Sequence, residues 1–430
     1  MSLSAFEASS GFLYSAPAIS TITFYEGDAA AACVFLRERV SRVVRANPWL
    51  GGKLVRDEDD IVSLRSHEHG GEELCNAGVC FERCAAAVKR GPTPRRLAEW
   101  FAWSEDDAFV AAVLGTGAEQ MSRDGPVFQV SLVPIVVLEG LDSHKELYAI
   151  VVSACHAVMD GHDFYALYGM LSSRGSVAAL ETVREPSVPA QARALLGSRE
   201  AELVTAPSLG MLFGIAYNML FNSRRRRLSA LEFDQGAAWA MRKAREADDA
   251  APFVSSNDVL ASAFFRAVDA RVSLMALNLR GRLPQLAAHM VGNYETFMIY
   301  QPPDFQTPAL VRRSLQPDSK RQLRRAAVPL TALPTSWDLA SGRTAVLSNW
   351  ASFYSDLLIP GSTQRVHACL PDPRIRPPLQ TIGVIFRPAA NRLAIVLNAD
   401  AGSEVADRLQ ELLGPNLILA CNIPSGGCYI

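Results

Sequence analysis

Residues 147–161 read Leu147-Tyr148-Ala149-Ile150-Val151-Val152-Ser153-Ala154-Cys155-His156-Ala157-Val158-Met159-Asp160-Gly161. The part up to Cys155 is apolar almost throughout, is rich in β-branched side chains and is too short for an ordinary helix. This pattern predicts a buried strand. His156 follows where the strand ends, so its imidazole is predicted to face a cleft or a core.

An imidazole at the end of a strand is suited to proton transfer. The neutral ring accepts a proton at physiological pH, as a general base for a hydroxyl, amine or thiol must do. Asp160 is better suited to pairing with an arginine, which would fix the loop, and Gly161 would permit a sharp turn or a close approach to a ligand. The alternative is a hydrogen-bonded core histidine followed by an ordinary Asp-Gly turn.

Length and composition limit the remaining possibilities. The chain has 430 residues, more than one ordinary core contains, which predicts two large lobes. Its 42 Lys and Arg against 44 Asp and Glu give a net charge of −2, so no overall field would attract nucleic acid. With 49% hydrophobic and 20% charged residues, the composition is that of a folded globular protein.

The cysteines and the start of the sequence bear on compartment and metal binding. The 8 cysteines are scattered, several within apolar runs, as expected for free thiols in a reducing, cytoplasmic setting. The first residues lack a basic start followed by an apolar run, so no secretory signal is predicted. We predict no metal site, because the spacing of the only dense cluster matches no common zinc pattern; that cluster comprises His67, His69, Cys75, Cys80 and Cys84.

Periodicity divides the chain into three parts. Residues 28–46 show the spacing of an amphipathic helix, 128–137 that of an apolar strand, and the segment after Gly161 is again helical. We therefore predict an N-terminal lobe over 1–175. The character changes to Ala, Glu, Arg and scattered Pro over 176–250, as in a connection between lobes. A C-terminal lobe over 251–430 is predicted to begin at the helix start Ser255-Ser256-Asn257-Asp258.

One segment of the connection is unusually apolar. Residues 203–221 contain no charged side chain, and Arg224-Arg225-Arg226-Arg227 follows almost at once. This combination is typical of a helix at a membrane surface with a basic flank, so peripheral membrane contact through 203–227 is one interpretation. A core or lobe-interface helix is the other main one. Pro207, Gly210 and Gly214 weaken a third, a membrane-spanning helix.

Several motifs occur in an order that resembles a known superfamily. They are Asn47-Pro48-Trp49-Leu50-Gly51-Gly52, the H-x-x-x-D-G stretch at 156–161, Ser255 to Leu260, Asn278-Leu279-Arg280-Gly281-Arg282, Val291-Gly292-Asn293 and Ser348-Asn349-Trp350. The order resembles the BAHD-type acyltransferases within the chloramphenicol acetyltransferase-like superfamily. That resemblance implies an α/β fold of two lobes, each a mixed sheet covered by helices, with a channel at their interface.

The resemblance also implies roles for individual residues. His156 would be the general base that deprotonates a hydroxyl or amine as it attacks the thioester of acyl-CoA, without a covalent acyl-enzyme. Asp160 would pair with Arg280, or with Arg282 as second choice. An oxyanion needs hydrogen-bond donors, and the sequence does not rank the four candidates, which are Asn293, Thr296, Ser348 and Trp350.

This chain departs from the family pattern at two places. The usual D-F-G-W-G motif has only Asp356-Leu357-Leu358-Ile359-Pro360-Gly361 as its counterpart, which indicates a divergent branch. Condensation domains usually carry a second histidine where this chain has Cys155, which disfavours peptide-bond formation.

The sequence therefore predicts a cytoplasmic, monomeric acyltransferase. Its partners would be acyl-CoA as co-substrate and a small alcohol or amine acceptor, with no permanently bound cofactor. Two alternatives stay open. One is a condensation-type enzyme that takes its acyl group from a carrier protein, and the other is a non-catalytic binding protein on the same fold.

Overall fold

A computed structural model gives the architecture of the chain. It describes residues 3–4, 7, 11–58, 61–66, 71–76, 78–84, 88–90, 92–104, 106–137, 146–197, 213–214, 216–217, 226–317, 323, 336–371, 381–400, 404–414 and 417–424. All structural statements below concern these residues.

Helices and strands alternate along the chain. The strands are β1 Ile19–Glu26, β2 Lys53–Arg56, β3 Val62–Arg65, β4 Phe81–Arg83, β5 Val88–Arg90, β6 Phe128–Val137, β7 Leu147–Ala154, β8 Arg226–Phe233, β9 Val272–Asn278, β10 Glu295–Tyr300, β11 Thr344–Asn349, β12 Thr363–Cys369, β13 Thr381–Phe386, β14 Leu393–Asp400 and β15 Leu417–Pro424. The helices are α1 Gly11–Ser15, α2 Ala29–Ala46, α3 Gly71–Asn76, α4 Leu97–Trp103, α5 Asp107–Ala111, α6 Gly117–Ser122, α7 Gly161–Met170, α8 Val188–Leu196, α9 Ala237–Arg245, α10 Ser256–Val268, α11 Pro308–Ser314, α12 Ser336–Ala340 and α13 Val405–Leu413.

Two mixed sheets form the framework. In the first, the strand order is β12-β1-β7-β6-β4, with β5 also beside β6; β4 and β5 run parallel to β6 and the other pairs are antiparallel. In the second, the order is β10-β9-β11-β13-β14-β8-β15, with parallel pairs on both sides of β11. The predicted fold class, two mixed sheets covered by helices, is confirmed.

The predicted strand before His156 is β7, and all its residues are buried. Successive side chains of a strand point to opposite faces, and here each face meets a different core. Tyr148, Ile150 and Val152 pack with apolar side chains of α2 and α7. Leu147, Ala149 and Val151 face a second apolar layer that includes Val396 of β14. Burial on both faces explains why the sequence here is continuously apolar rather than alternating.

Helix caps account for the helix starts that the sequence predicts. Asp28 accepts hydrogen bonds from the backbone N–H groups of Ala30 and Ala31 and begins α2. Ser255 and Asp258 form a capping box at the start of α10. Both helices satisfy N–H groups that would otherwise lack partners in their first turn, which fixes where each begins.

Two strands do not follow the division into lobes and connection that the sequence predicts. Strand β12, within 251–430, pairs with β1 of the first sheet, where Thr23 lies opposite His367. Strand β8, within 176–250, pairs with β14 of the second sheet. The lobes are therefore joined by shared strands as well as by apolar packing between the sheets.

Most of the apolar segment 203–227 lies outside the described residues. In its described part, Phe213 and Tyr217 are exposed and their ring centroids are 6.4 Å apart. Across the described chain, no helix combines the length and the apolar character needed to cross a bilayer.

Candidate active site

His156 lies on a short loop between β7 and α7, at the junction of the two lobes. The loop leaves the sheet after the backbone N–H of Cys155 donates to the carbonyl of Val127. Asp160 ends the loop as the N-cap of α7, because its Oδ1 accepts from the N–H groups of His162 and Asp163. The His156 side chain keeps 22% of its surface exposed, so the ring is held by the fold but is reachable.

Arg280 holds this loop against the second lobe. Its Nη1 donates to Asp160 Oδ2 at 2.6 Å and its Nη2 to Asp163 Oδ1 at 2.7 Å, with all three side chains nearly fully buried. The guanidinium also donates to the carbonyls of Met290 and Gly292. A buried ion pair needs such additional hydrogen bonds to offset the loss of solvation. The pair of Asp160 and Arg280 implied by the resemblance is thus present, and Asp163 extends it.

The charges of this group affect one another. Burial lowers the pKa of Arg280, but the carboxylates of Asp160 and Asp163 outweigh burial and raise it. Burial, together with the neighbouring charge of Asp160, raises the pKa of Asp163 to about 6. The guanidinium is therefore firmly charged, whereas one of the carboxyl groups can take up a proton in mildly acidic solution.

Asn293 fixes the orientation and tautomer of His156. Its backbone N–H and side-chain Nδ2 both donate to Glu7 Oε1, at 2.9 and 3.2 Å. A carboxylate accepts only, so the amide must turn its oxygen the other way, and Oδ1 lies 3.1 Å from His156 Nδ1. His156 must then carry its proton on Nδ1. Nitrogen Nε2 is left with a free lone pair, the form that a general base requires.

Glu7 is itself held by a buried arginine. Arg184 donates from Nε to Glu7 Oε2 at 2.8 Å and from Nη2 to the carbonyl of Val158 at 2.7 Å. Its Nη1 donates to the carbonyl of Val291. One guanidinium thus connects the His156 loop, the segment before Asn293 and the N-terminal Glu7.

Glu295 lies on the other side of the imidazole. Its Oε1 is 3.6 Å from His156 Nε2, and its side chain is 24% exposed. Burial raises the pKa of Glu295, and Asp160 adds to this, while His156 and Arg280 oppose it. The nitrogen that is free to accept a proton therefore has a carboxyl group beside it.

A cleft of about 290 Å³ opens between the lobes at this point. It is lined by Gly161 and His162 from the first lobe and by Glu295, Ser348 and Trp350 from the second, among others. A Cβ atom at Gly161 would lie 3.4 Å from Trp350 Nε1, which is an ordinary van der Waals contact. Gly161 is not among the residues with positive φ, so its backbone conformation does not require glycine. The close approach of a ligand to Gly161 stays a prediction.

Of the four residues predicted as channel or oxyanion contributors, two line the cleft and two do not. Ser348 and Trp350 line the cleft. Trp350 Nε1 donates to Ser348 Oγ at 3.1 Å, which leaves the Ser348 hydroxyl proton available for another acceptor. Asn293 uses its amide N–H to hold Glu7, so it acts on His156 instead. Thr296 is buried next to Glu295 on β10 and does not line the cleft, because adjacent strand residues face opposite ways.

Asp160, His162 and Asp163 are the described residues that come close enough together to suggest a metal site. Their surroundings do not suit a metal ion. Arg280 already lies between the two carboxylates; the remaining oxygen of Asp160 accepts the N–H groups of His162 and Asp163, and that of Asp163 accepts the N–H of Gly292. This grouping is an arginine site rather than a metal site.

Glu7, Asp163, Arg184 and Glu295 are site residues that the sequence did not single out. For two of them a signal exists. Asp163 follows Asp160 by about one helical turn and shares its partner Arg280, and Glu295 follows Asn293 by two residues and likewise lies beside His156. Glu7 and Arg184 offered no such signal, since only the tertiary fold brings them here.

Comparison with known proteins supports the fold. The sequence matches no protein-family profile and no curated protein. Many solved structures match in fold, among them the following three. TRI101 from F. graminearum, complexed with coenzyme A and deoxynivalenol, has a TM-score of 0.61 and 14% identity over 98% of this chain and 99% of that chain. Vinorine synthase has a TM-score of 0.57 and 14% identity over 96% of this chain and 92% of that chain. Polyketide synthase associated protein 5 from Mycobacterium tuberculosis has a TM-score of 0.54 and 15% identity over 92% of this chain and 93% of that chain.

Identities this low establish a shared fold and no more. The match extends over nearly the whole of each chain, so both lobes and their arrangement are included. The two-lobe architecture implied by the motif order is therefore shared with TRI101, vinorine synthase and polyketide synthase associated protein 5.

Proposed function

We propose that this chain is an acyl-CoA-dependent acyltransferase that moves an acyl group from a thioester to a hydroxyl or amine acceptor. His156 is the general base. One observation carries the proposal: Asn293, itself oriented by Glu7, forces the proton of His156 onto Nδ1, so that Nε2 offers a lone pair beside Glu295, which lines the interlobe cleft.

The chemistry follows from this arrangement. The acceptor binds beside Nε2 and loses its proton to the imidazole as its oxygen or nitrogen attacks the thioester carbonyl. The tetrahedral intermediate then expels the CoA thiolate, which takes the proton back from the imidazolium. The acyl group passes directly to the acceptor, and the protein needs neither an acyl-enzyme nor a permanently bound cofactor.

Ser348 is the best oxyanion donor of the four candidates. Its oxygen accepts from Trp350, so its own proton is free, and it lines the cleft. A donor already oriented by the fold stabilises the negative charge of the intermediate without reorganising during the reaction. Asp160, Gly161 and Arg280 act indirectly, by fixing the loop that carries His156.

The comparisons favour coenzyme A as the donor. TRI101 binds coenzyme A together with deoxynivalenol or T-2 mycotoxin, so that protein accommodates both the thioester carrier and a small molecule. The carrier-protein alternative is kept because a condensation domain shares the fold with a TM-score of 0.52 at 14% identity. A choice between these donors requires turnover data.

The decisive experiment measures release of free CoA with a thiol reagent. Purified protein is incubated with a panel of acyl-CoA thioesters and mixed alcohols and amines. Wild type should release CoA only when an acceptor is present, and His156→Ala should lose about 10²–10⁴-fold in kcat, the range for a general base. His289→Ala is the matched control, because His289 is a mostly exposed histidine away from the cleft.

The outcomes separate the alternatives. Activity unchanged in His156→Ala would exclude His156 as the base. Transfer from an acyl carrier protein but from no CoA thioester would establish the condensation-type alternative. A folded protein inactive with every donor would indicate the non-catalytic alternative.

We further propose that the enzyme works as a monomer, because one chain supplies His156, its partners and the cleft, and that it is cytoplasmic, because several of its cysteines are buried free thiols. Light scattering that shows a stable dimer would contradict the monomeric state.

Peripheral membrane contact through 203–227 is proposed from the exposed rings of Phe213 and Tyr217 and from the basic stretch that follows. It predicts co-sedimentation with anionic liposomes that is lost when Arg224 to Arg227 are neutralised.

A further inference from the structure

The Glu295 carboxyl group has no evident structural role. It lines the cleft, and within the described part of the chain the nearest basic atom is His156 Nε2 at 3.6 Å. That separation is too long for a hydrogen bond. By contrast, the carboxylates of Asp160 and Asp163 bind Arg280 and backbone N–H groups. A carboxyl group left facing a cleft is available to a ligand.

The distance between the two acceptors selects the kind of atom that fits between them. A nitrogen about 2.8 Å from both Nε2 and Oε1 would form two hydrogen bonds of ordinary length. A primary amine has two hydrogens to donate and still keeps a lone pair for attack on a carbonyl. A hydroxyl has a single hydrogen, so its oxygen would face either the ionised carboxylate or the imidazole lone pair unsatisfied.

The local charge also favours a cation. Asp160, Asp163 and Glu295 supply three carboxyl groups around the single buried guanidinium of Arg280. Arg282 also lines the cleft, but it is exposed to solvent and points its Nη1 towards the carbonyl of Leu315, at 3.4 Å. An excess of acidic groups at a partly enclosed site raises the local concentration of positively charged ligands.

We infer that the acceptor at this site is a primary amine, which Glu295 binds as its ammonium ion next to His156. This inference rests on the proposed acyl transfer and narrows its acceptor class. Glu295 is then the residue that makes the enzyme select amines over alcohols of the same carbon skeleton.

The proton and electron changes balance in this scheme. The ammonium gives one proton to the Glu295 carboxylate. Burial raises the pKa of this carboxyl group, so it accepts a proton more readily than an ordinary glutamate. The amine lone pair then forms the C–N bond to the thioester carbon, and the second proton passes to His156 Nε2. Collapse of the intermediate breaks the C–S bond, and the thiolate takes the proton of the imidazolium. Glu295 returns its proton to water through its exposed part.

The lining of the cleft indicates the rest of the acceptor. Met275, Leu277, Trp350 and Phe353 contribute apolar side chains. Together with Glu295 they give the cleft apolar surface suited to an aliphatic or aromatic skeleton next to one carboxyl group. The amine is therefore expected on a small apolar body.

The test compares binding before it compares turnover. Calorimetric titration of the full chain would use butylamine, benzylamine and 2-phenylethylamine, each against the alcohol of the same skeleton. We expect at least one amine to bind about 10- to 100-fold more tightly than its alcohol, as a charge-assisted hydrogen bond provides. Glu295→Gln should remove this preference. Glu404→Gln is the matched control, because Glu404 is a mostly exposed glutamate on a distant helix end.

Each binding outcome decides the inference. Equal binding of amines and alcohols, a preference that survives in Glu295→Gln, or no binding of any amine would overturn it. The same panel is then tested for CoA release, where Glu295→Gln should raise KM for amines more than it lowers kcat. Acylation of alcohols but not amines would overturn the inference and leave the proposed function intact. No thioester turnover with any acceptor would count against the proposed function, and the binding data would still test whether Glu295 binds an amine.

Discussion

His156 and His367 are two histidines of the same lobe whose ring nitrogens have different surroundings. His156 Nδ1 is held by Asn293, while Nε2 lies 3.6 Å from Oε1 of Glu295, a residue that lines the cleft. His367, on the edge strand β12 of the first sheet, is fully buried. Its Nδ1 lies 2.9 Å from the Thr23 hydroxyl and its Nε2 lies 3.0 Å from the Tyr165 hydroxyl. Both nitrogens of His367 are therefore satisfied, and no lone pair is left for chemistry.

The clusters around these histidines differ in charge as well. The interface cluster, comprising His156, Asp160, Asp163, Arg280 and Glu295, is ionic and partly reachable from solvent. The aromatic cluster, comprising Thr23, Tyr165, Tyr168, Tyr354 and His367, consists of neutral groups, all of them buried except the half-buried Tyr354. Burial lowers the pKa of His367 to about 3, so this ring stays uncharged. A histidine contributes to reactivity only where the fold leaves one of its nitrogens unsatisfied, and residue type alone does not reveal this.

The largest expected effect comes from removing the cation of the interface cluster. Arg280→Met leaves the buried carboxylates of Asp160 and Asp163 without a partner, so we expect a loss of about 3–5 kcal/mol in the free energy of unfolding. The loss should be larger at pH 8 than at pH 5, because the unpaired carboxyl groups take up protons as the pH falls. Urea unfolding at both pH values measures it.

Arg343→Met provides the control for that experiment. Arg343 pairs with Asp269 at the surface, where an ion pair is worth less than about 1 kcal/mol. Similar losses in the two variants would show that the interface cluster does not depend on Arg280, and the contrast between the ionic and the neutral cluster would then fail.

A smaller effect is expected when each histidine loses one partner. Asn293→Ala frees His156 to carry its proton on either nitrogen, so we expect kcat to fall about 10- to 100-fold with little change in KM for the thioester. Thr23→Val removes a hydroxyl next to His367 at nearly constant shape. It should cost about 1 kcal/mol of stability and leave kcat unchanged. A fall in kcat in Thr23→Val, or none in Asn293→Ala, would contradict the roles assigned to the two rings.

Local patterns predicted the elements that lead to the site. The apolar run of β7, the helix over 28–46 and the helix start at Ser255 depend on neighbouring residues, so they were visible in the sequence and the structure confirms them. Strand β12 was not predicted. Its segment contains Gln364, Arg365 and His367, and its burial depends on pairing with β1, far away along the chain.

The residues of the site fall into the same two groups: those that local motifs predict and those that only the tertiary fold brings together. His156, Asp160 and Arg280 stood out because their motifs are short and occur in a known order. Glu7 and Arg184 were missed, because their contacts with Asn293 and Val158 arise only when distant segments pack together. The residues that could be predicted therefore define the type of chemistry. Those that set the tautomer of His156 required the structure.

The smallest effect concerns pH and separates the two histidines directly. Below the ordinary imidazole pKa of about 6.5, unfolded protein takes up a proton at residue 367 that the folded protein excludes until pH is about 3. Stability from this group is therefore lost as the pH falls, by about 1–2 kcal/mol between pH 7 and pH 5. His367→Gln should reduce the pH dependence of the unfolding free energy by that amount, as measured by urea unfolding across this range. His289→Gln, which alters an exposed ring, should leave the dependence close to that of wild type. An unchanged dependence in His367→Gln would mean that His367 is protonated in the folded state, and the aromatic cluster would then hold a charge as the interface cluster does.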